Sequence, residues 1–272
     1  MQAKRVIIIN DCSDANARLR IEAQVAQAFP DLPSTFYKAE PFATLSLSFL
    51  LAEAEFNAGD VVLFNAAPRG ASEMQTDNRA GVMVFVVLKN GALLVGPNEG
   101  HSLTLIKDQV QSIYLKKGDD GNQAGTQFRS AYVFPKAAGE FVATADDQIL
   151  SAYLPQDLDQ WPWRPIDKDY ILWIDSFDNI KLSASRPLVP DQSYIVRFLR
   201  DGKLMRELRM PYKANMTELA LGELGLITGS SFNHQGLEIV VRTGRVGMVR
   251  TRQYLLQEYG LDLQPEDEVQ IS

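Results

Sequence analysis

Two unbroken apolar runs in the first quarter of the chain constrain its fold most. "RVIII" (5–9) and "VVLFN" (61–65) are short, rich in β-branched residues and show no alternation. A strand with one wet face alternates; a strand covered on both faces does not. Both runs therefore predict strands buried between two layers of helix. The intervening sequence predicts helices. Asp11 and Ser13 are candidate caps for a helix starting near Asp14, with Leu19, Ala23, Ala26 and Phe29 at helical spacing and Pro30 ending it. A second helical stretch covers 42–57 and stops at "NAGD". Strand, helix, helix, strand implies a mixed, mostly parallel sheet with helices. "GVMVFVVLKNGALLVGPN" adds two strands around a Lys89-Asn90-Gly91 turn, and 130–144 reads as one more helix.

The texture then changes. "LPQDLDQWPWRPIDKD" (154–169) is aperiodic and rich in Pro, Asp and Trp, and reads as a linker. Beyond it lie short strands with turns between them, including two alternating runs joined by Arg200-Asp201-Gly202-Lys203. That spacing predicts a small all-β barrel or sandwich. The expected organisation is an α/β domain over 1–155 and a β-barrel-like domain over 168–272.

Composition narrows the partners. With 272 residues there is core enough for one large domain or two modest ones, and a net charge of −7 without a Lys/Arg stripe argues against nucleic acid. No run approaches the roughly 20 apolar residues of a membrane helix, and the start of the chain is too strand-like for a signal peptide. One cysteine, Cys12, permits no intrachain disulfide, which suits the cytoplasm. Two histidines and one cysteine exclude a Cys/His zinc cluster, and no other metal site is expected. No P-loop, "GxGxxG", "GxSxG" elbow or "HExxH" is present.

Six segments carry a resemblance: "IIINDCSDAN" (7–16), "VVLFNAAPRG" (61–70), "VGPNEG" (95–100), "TQFRSAYVFPKAA" (126–138), "WIDSFDNI" (173–180) and "SSFNHQGLEIVV" (230–241). In order and spacing they resemble the active-site segments of the S-adenosylmethionine (SAM) hydroxide adenosyltransferases, or SAM hydrolases, and of the related fluorinating and chlorinating SAM halogenases. The family's opening motif is similar to "TDFG..D". Its first acid, which holds the ribose, matches Asp11, and its second is replaced by Asn16. From the residues alone, Asp11 follows a strand end, where a carboxylate either receives two ribose hydroxyls or caps the next helix. "VVLFNAAPRG" is similar to "VVDPGVG", whose catalytic aspartate falls on Asn65. An amide cannot serve as a general base, although it still hydrogen-bonds a ligand. The family's arginine falls on Ser72, with Arg69 and Arg79 nearby as substitutes or as solvated loop residues.

"VGPNEG" resembles "APDNG", with Asn98 and Glu99 replacing acid and amide, while Gly96, Pro97 and Gly100 keep the turn chemistry. His101 follows; a lone loop histidine is usually inert. "TQFRSAYVFPKAA" resembles "STFHGRDIFAPAA": the family's histidine falls on Arg129 and its Arg-Asp pair on Ala131 and Tyr132. Phe128, Phe134, Ala137 and Ala138 keep the packing half of that motif. "WIDSFDNI" looks like "YIDHFGNL", keeping Asp175, Phe177 and Asn179. The resemblance implies that Asn179 reaches the ligand's adenine or amino-acid end with Phe177 packed beside it, whereas "FDN" alone reads as a turn. "SSFNHQGLEIVV" resembles "NSFG.LEIAV", keeping Ser231, Gly236 and Glu238, with about two residues inserted near His234.

The resemblance thus implies SAM as substrate or ligand with no further cofactor. It also implies a homotrimer with the ligand between the N-terminal domain of one subunit and the C-terminal domain of the next. Three classes remain open: a SAM-cleaving adenosyltransferase, a binding module for an adenosine ligand without catalysis, and a structural homologue.

Overall fold

The computed structural model describes residues 2–66, 81–118, 128–144, 148–184, 186–243 and 250–272. Contacts divide it into two units, Met1–Pro165 and Ile166–Ser272.

The first unit runs β1 (Arg5–Asn10), α1 (Ala15–Ala28), β2 (Ser34–Lys38), α2 (Thr44–Glu53), β3 (Asp60–Asn65), β4 (Met83–Leu88), β5 (Leu93–Pro97) and β6 (Val110–Lys116). It continues through α3 (Arg129–Tyr132), α4 (Phe134–Ala143), α5 (Ile149–Ala152) and β7 (Tyr153–Pro155). Its sheet has the order β2-β1-β3-β5-β4-β6-β7. The pairings β2/β1, β1/β3 and β3/β5 are parallel; β5/β4, β4/β6 and β6/β7 are antiparallel. The sheet is mixed as expected, but among the described residues the two kinds of pairing are equal in number. The antiparallel half comes from the hairpin at Gly91 (φ 86°) and from β7.

Burial explains the apolar runs. Val6, Ile8, Val61 and Leu63 pack with Ile21 and Val25 of α1 and Phe134, Ala138 and Phe141 of α4. The alternate residues Ile7, Ile9, Val62 and Phe64 pack on the other face with Leu47 and Leu51 of α2. Since α1 and α2 cover opposite faces, the boundary between β1 and β3 is the topological switch point of the parallel half.

Several expectations need correction. The cap of α1 is Asp14, whose carboxylate accepts from the Asn16 and Ala17 amides. The buried row is Ala17, Ile21, Val25 and Phe29, while Leu19 is 68% exposed and Ala23 and Ala26 face water. Rows four apart describe one helix face, and the row through Leu19 is the solvent face of α1. The second helix is shorter than 42–57, because Phe42 has φ 63° and α2 begins only at Thr44. Strand β2 was not expected: "STFYK" is an exposed edge without an apolar run. The helix expected over 130–144 breaks at Val133, and Pro135 opens its second part. The aperiodic stretch after 154 is not a free linker up to Pro165. Its β7 residues pair with β6, and Trp161, 4% exposed, is in the core beside Leu158 and Trp163. Burying a tryptophan outweighs the Pro/Asp composition that reads as a spacer.

The second unit comprises β8 (Asp169–Ile174), β9 (Ile180–Leu182), β10 (Ser193–Arg200), β11 (Lys203–Lys213) and β12 (Leu224–Thr228). After these come α6 (Ser231–His234), β13 (Leu237–Val241), α7 (Thr251–Tyr259) and β14 (Glu268–Ile271). The strands close into a barrel, β10-β11-β12-β13-β9-β8-β14, which decides between barrel and sandwich. Asp201 (φ 50°) and Gly202 (φ 72°) form the β10–β11 turn, and Ile171, Val196, Phe198, Met210, Leu226 and Ile239 fill the interior. The helix α7 was not expected among strands; Leu255 anchors it in the core and Gly260 (φ 65°) ends it. Among the described residues no helix is long and apolar enough to cross a membrane.

Candidate functional site

The carboxyl ends of β1, β3 and β5 carry three of the sequence-predicted residues of the first unit, Asp11, Asn65 and Asn98. Asn10 and Asn65 are register partners, so Asp11 and Asn65 leave adjacent strands side by side. The Asn65 Nδ2 donates to Asp11 Oδ1 at 2.7 Å, and the Asp11 amide donates to the Asn65 carbonyl at 3.0 Å. A longer bond, 3.4 Å, runs from the Phe42 amide to Asp11 Oδ2. Asp11 thus does not cap α1. The side-chain amide of Asn65 is buried and spends a donor on holding that carboxylate. A carboxylate here could accept a proton; the amide of Asn65 cannot, and it clamps Asp11 instead. Asn16 sits exposed in the first turn of α1 with its backbone on Asp14, and no described contact joins it to Asp11.

The loop after β5 completes this edge. Gly96 proves to be a strand residue: a Cβ there would come within 2.3 Å of the Phe64 carbonyl, so glycine permits β3 and β5 to approach. Gly100 (φ 49°) is the true turn position, where a Cβ would meet Thr44 Oγ1 at 2.2 Å. That hydroxyl accepts from the His101 amide at 3.0 Å. The His101 ring lies 3.4 Å from Thr104 Oγ1, which ties it to the loop. Asn98 exchanges backbone bonds with this edge, its amide to Val82 and its carbonyl to Gly81. Arg129 donates from Nη1 to the Gly81 carbonyl at 2.8 Å, and its guanidinium lies 5.6 Å from the Phe134 ring centre.

Glu99 stands beside Arg129. Its Oε1 lies 2.9 Å from where a Cβ on Gly81 would be. Burial pushes the Glu99 carboxyl above its ordinary range, while Arg129 and Arg164 pull it partly back. Arg164 is placed by its carbonyl, which accepts from Thr104 Oγ1 at 3.1 Å. Nothing in the sequence pointed to Arg164, since the Trp/Pro stretch carrying it read as linker. Arg69, Ser72 and Arg79 lie outside the described residues.

In the second unit the predicted residues are strongly engaged with their own barrel. Asp175 Oδ1 accepts from the amides of Phe177 (2.8 Å) and Asn179 (2.9 Å), closing a tight turn in which Asp178 has φ 61°. The Asn179 side chain donates to Asp175 Oδ2 at 3.3 Å and accepts from Thr251 Oγ1 at 3.2 Å. Phe177 is 64% exposed at the tip of this turn. Glu238 is buried, pairs with Lys181 Nζ at 2.5 Å and accepts from the Ser230 amide at 3.1 Å. Ser231 is buried, and its carbonyl receives the Gly236 amide at 3.0 Å. The side chains of Asn233 and His234 lie outside the described residues. "FDN" thus does form a turn, and Glu238 forms an internal ion pair.

No family model matches the chain, and no curated protein matches it. Among solved structures it is similar to an uncharacterized conserved protein from Thermotoga maritima, with TM-score 0.66 and 17% identity over 98% of this chain and 99% of that one. It is also similar to a conserved hypothetical protein from Thermus thermophilus, with TM-score 0.64 and 18% identity over 99% of this chain and 100% of that one. At these identities the likeness shows a shared fold over essentially the whole chain.

Proposed function

We propose that the protein binds an adenosine-type ligand, SAM or a relative, at the carboxyl edge of β1 and β3, without the water-activating chemistry of the SAM hydrolases. The observation that supports this best is the Asp11 carboxylate, held by Asn65 at 2.7 Å on the switch point of the sheet. This is the edge where open α/β sheets take ligands, and a carboxylate there suits the vicinal hydroxyls of a ribose.

Catalysis is the weaker half of the resemblance for chemical reasons. Hydrolysis needs water oriented and deprotonated as it attacks the ribose 5′ carbon. Asn65 accepts no proton at neutral pH, and Arg129 stays protonated and cannot shuttle one. The sulfonium of SAM is already a good leaving group, so attack by a halide would demand orientation and desolvation rather than a base. A homotrimer with ligand sites between subunits belongs to the same proposal, and light scattering at micromolar concentration tests it.

The chemical test is incubation with SAM, with and without chloride, followed by chromatography for adenosine, 5′-chloroadenosine and methionine. The expected result is no water-dependent adenosine above the uncatalysed background. Turnover at about 1 per second, within the usual enzymatic range, would overturn the loss of hydrolysis.

A further inference from the structure

In the barrel, β14 is paired over its whole length with β10 but over only part of it with β8. The Ile195 amide donates to the Ser272 carbonyl at 2.8 Å and the Ser272 amide to the Ile195 carbonyl at 3.0 Å, so these two form a hydrogen-bonded pair. Antiparallel pairs alternate, and the next pair, Val196 and Ile271, therefore turns its backbone groups outward. The N–H and C=O of Ile271 thus face the β8 side. There the ladder stops at Asp169 and Val269, and the chain before Asp169 leaves the sheet. Arg186 Nη1 donates to the Ile271 carbonyl at 3.2 Å. Among the described residues the Ile271 N–H has no acceptor, although the residue is only 6% exposed. A buried backbone donor left without an acceptor is uncommon. Ile271 lines a cavity of about 740 Å³ whose walls, residues 166–169, 183, 186 and 268–271, all belong to the second unit. That volume is in the range of small-molecule sites.

The charges around this cavity cancel in pairs. Lys168 Nζ bonds Glu268 Oε2 at 2.8 Å, and Arg186 Nη2 pairs with Asp169 Oδ2. Gln270 Nε2 adds a bond of 2.7 Å to Glu268 Oε1. With Asp167, the lining carboxylates outnumber the two cations, which disfavours a free anion. A cation would find only Asp167 without a described ion pair, beside two positive side chains and an N–H that needs an acceptor. Among the described residues no aromatic ring lines the cavity, so a flat apolar ligand has no stacking surface. The paired groups nevertheless keep hydrogen-bonding capacity. Lys168 spends one of three ammonium donors on Glu268, and Arg186 spends two of five on Asp169 and Ile271. Asp169 Oδ1 and Gln270 Oε1 have no described donor and remain acceptors. Closely spaced donors and acceptors with their charges already neutralised suit hydroxyl groups, each of which donates and accepts at once. We propose that this cavity binds a neutral polyhydroxylated molecule of the sugar class. Its oxygens accept from the Ile271 N–H and from Lys168 and Arg186, and its hydroxyls donate to Asp167, Asp169 and Gln270. The site lies in the second unit and does not depend on the adenosine-type ligand proposed for the first.

The test is titration calorimetry on the full-length chain with D-glucose, D-galactose, sucrose and myo-inositol, and with inorganic phosphate and ethylammonium as ionic probes. At least one of the four polyols should bind saturably with a dissociation constant below about 10 mM, and both ions should bind more weakly. A double variant, Lys168→Ala with Gln270→Ala, should weaken that polyol about tenfold or more, with thermal melts as a control of folding. Gln270→Ala alone changes an exposed side chain, should weaken it about threefold, and serves if the double variant fails to fold. Asp11→Asn, in the other unit, should leave polyol binding unchanged. Absence of saturable heat for all four polyols up to about 50 mM overturns the proposal. So does tighter binding of phosphate or ethylammonium than of any polyol, which would mark an ion site. Polyol binding that survives intact in the folded Gln270 variants also overturns it, as does polyol binding lost in Asp11→Asn, which would put the sugar at the ribose edge instead.

Discussion

Replacing Asp11 by asparagine separates a ligand-binding role from a structural one. The side chain changes by one atom, and its described structural duty survives: the amide oxygen of the new residue can accept from Asn65 Nδ2 as Oδ1 does now at 2.7 Å. The cap of α1 is untouched, because Asp14 supplies it through bonds of 3.0 Å to the amides of Asn16 and Ala17. The 3.4 Å contact from the Phe42 amide is long enough that losing it costs little. Stability should therefore change by less than about 1 kcal/mol. Ligand binding should not escape so lightly. The new NH2 group would occupy the position of Oδ2, presenting a donor to a ribose hydroxyl that seeks an acceptor. A hydrogen bond to a charged group is worth about 1.5–3 kcal/mol, which corresponds to roughly 10- to 150-fold in affinity. Calorimetric titration with adenosine, paired with a thermal melt, reads both quantities. Unchanged affinity in a folded variant would refute the ribose role, and a large fall in melting temperature with proportionate loss of binding would make Asp11 structural.

Arg129→His alone should not create SAM hydrolysis, because Asn65 still lacks a basic atom; adenosine release measured by chromatography checks this, and turnover near 1 per second would contradict it. Lys181→Met should destabilise the barrel by about 3–5 kcal/mol in chemical denaturation, since it strands the buried Glu238 beside the Ser230 amide. A second change, Glu238→Leu, should recover much of that loss, and no recovery would show that the pair is not what holds this corner. Asp60→Asn should cost about 1.5–3 kcal/mol, because Arg5 donates to both carboxylate oxygens at 2.8 and 2.7 Å. Those bonds lower the folded pKa of Asp60 below its unfolded value. The contribution is therefore complete above the unfolded value, about 3.9, and is lost as pH falls through the folded one. The variant should approach the wild type in stability under acid, and a pH-independent gap would count against the linkage.

Legibility in the sequence followed the physics of burial. β1 and β3 could be read because both faces of each are covered, which leaves an unbroken apolar run. β2 could not, because an exposed edge strand is specified by its neighbour's backbone rather than by its own side chains. The stripe of α1 was misplaced because alanines fit either face, and the decisive residues were Ile21 and Val25. Motif order marks Asp11 and Asn65, and their mutual bond follows from the register of β1 and β3. Arg164 was invisible for a different reason: its position depends on how Trp161 folds the preceding stretch into the core, a tertiary effect that local composition does not carry. In the barrel, "FDN" and Glu238 matched a ligand-binding pattern, yet their described partners are Thr251, Lys181 and the local backbone.

The central claim is that this fold holds an adenosine-type ligand at the Asp11–Asn65 edge, and titration of the wild-type chain with adenosine and with SAM tests it most directly. The account predicts saturable binding of both, one per chain, with dissociation constants below about 1 mM and SAM the tighter of the two. Absence of saturable heat for either ligand up to about 1 mM would contradict it, and would leave the Asp11–Asn65 pair as a brace between two strand ends.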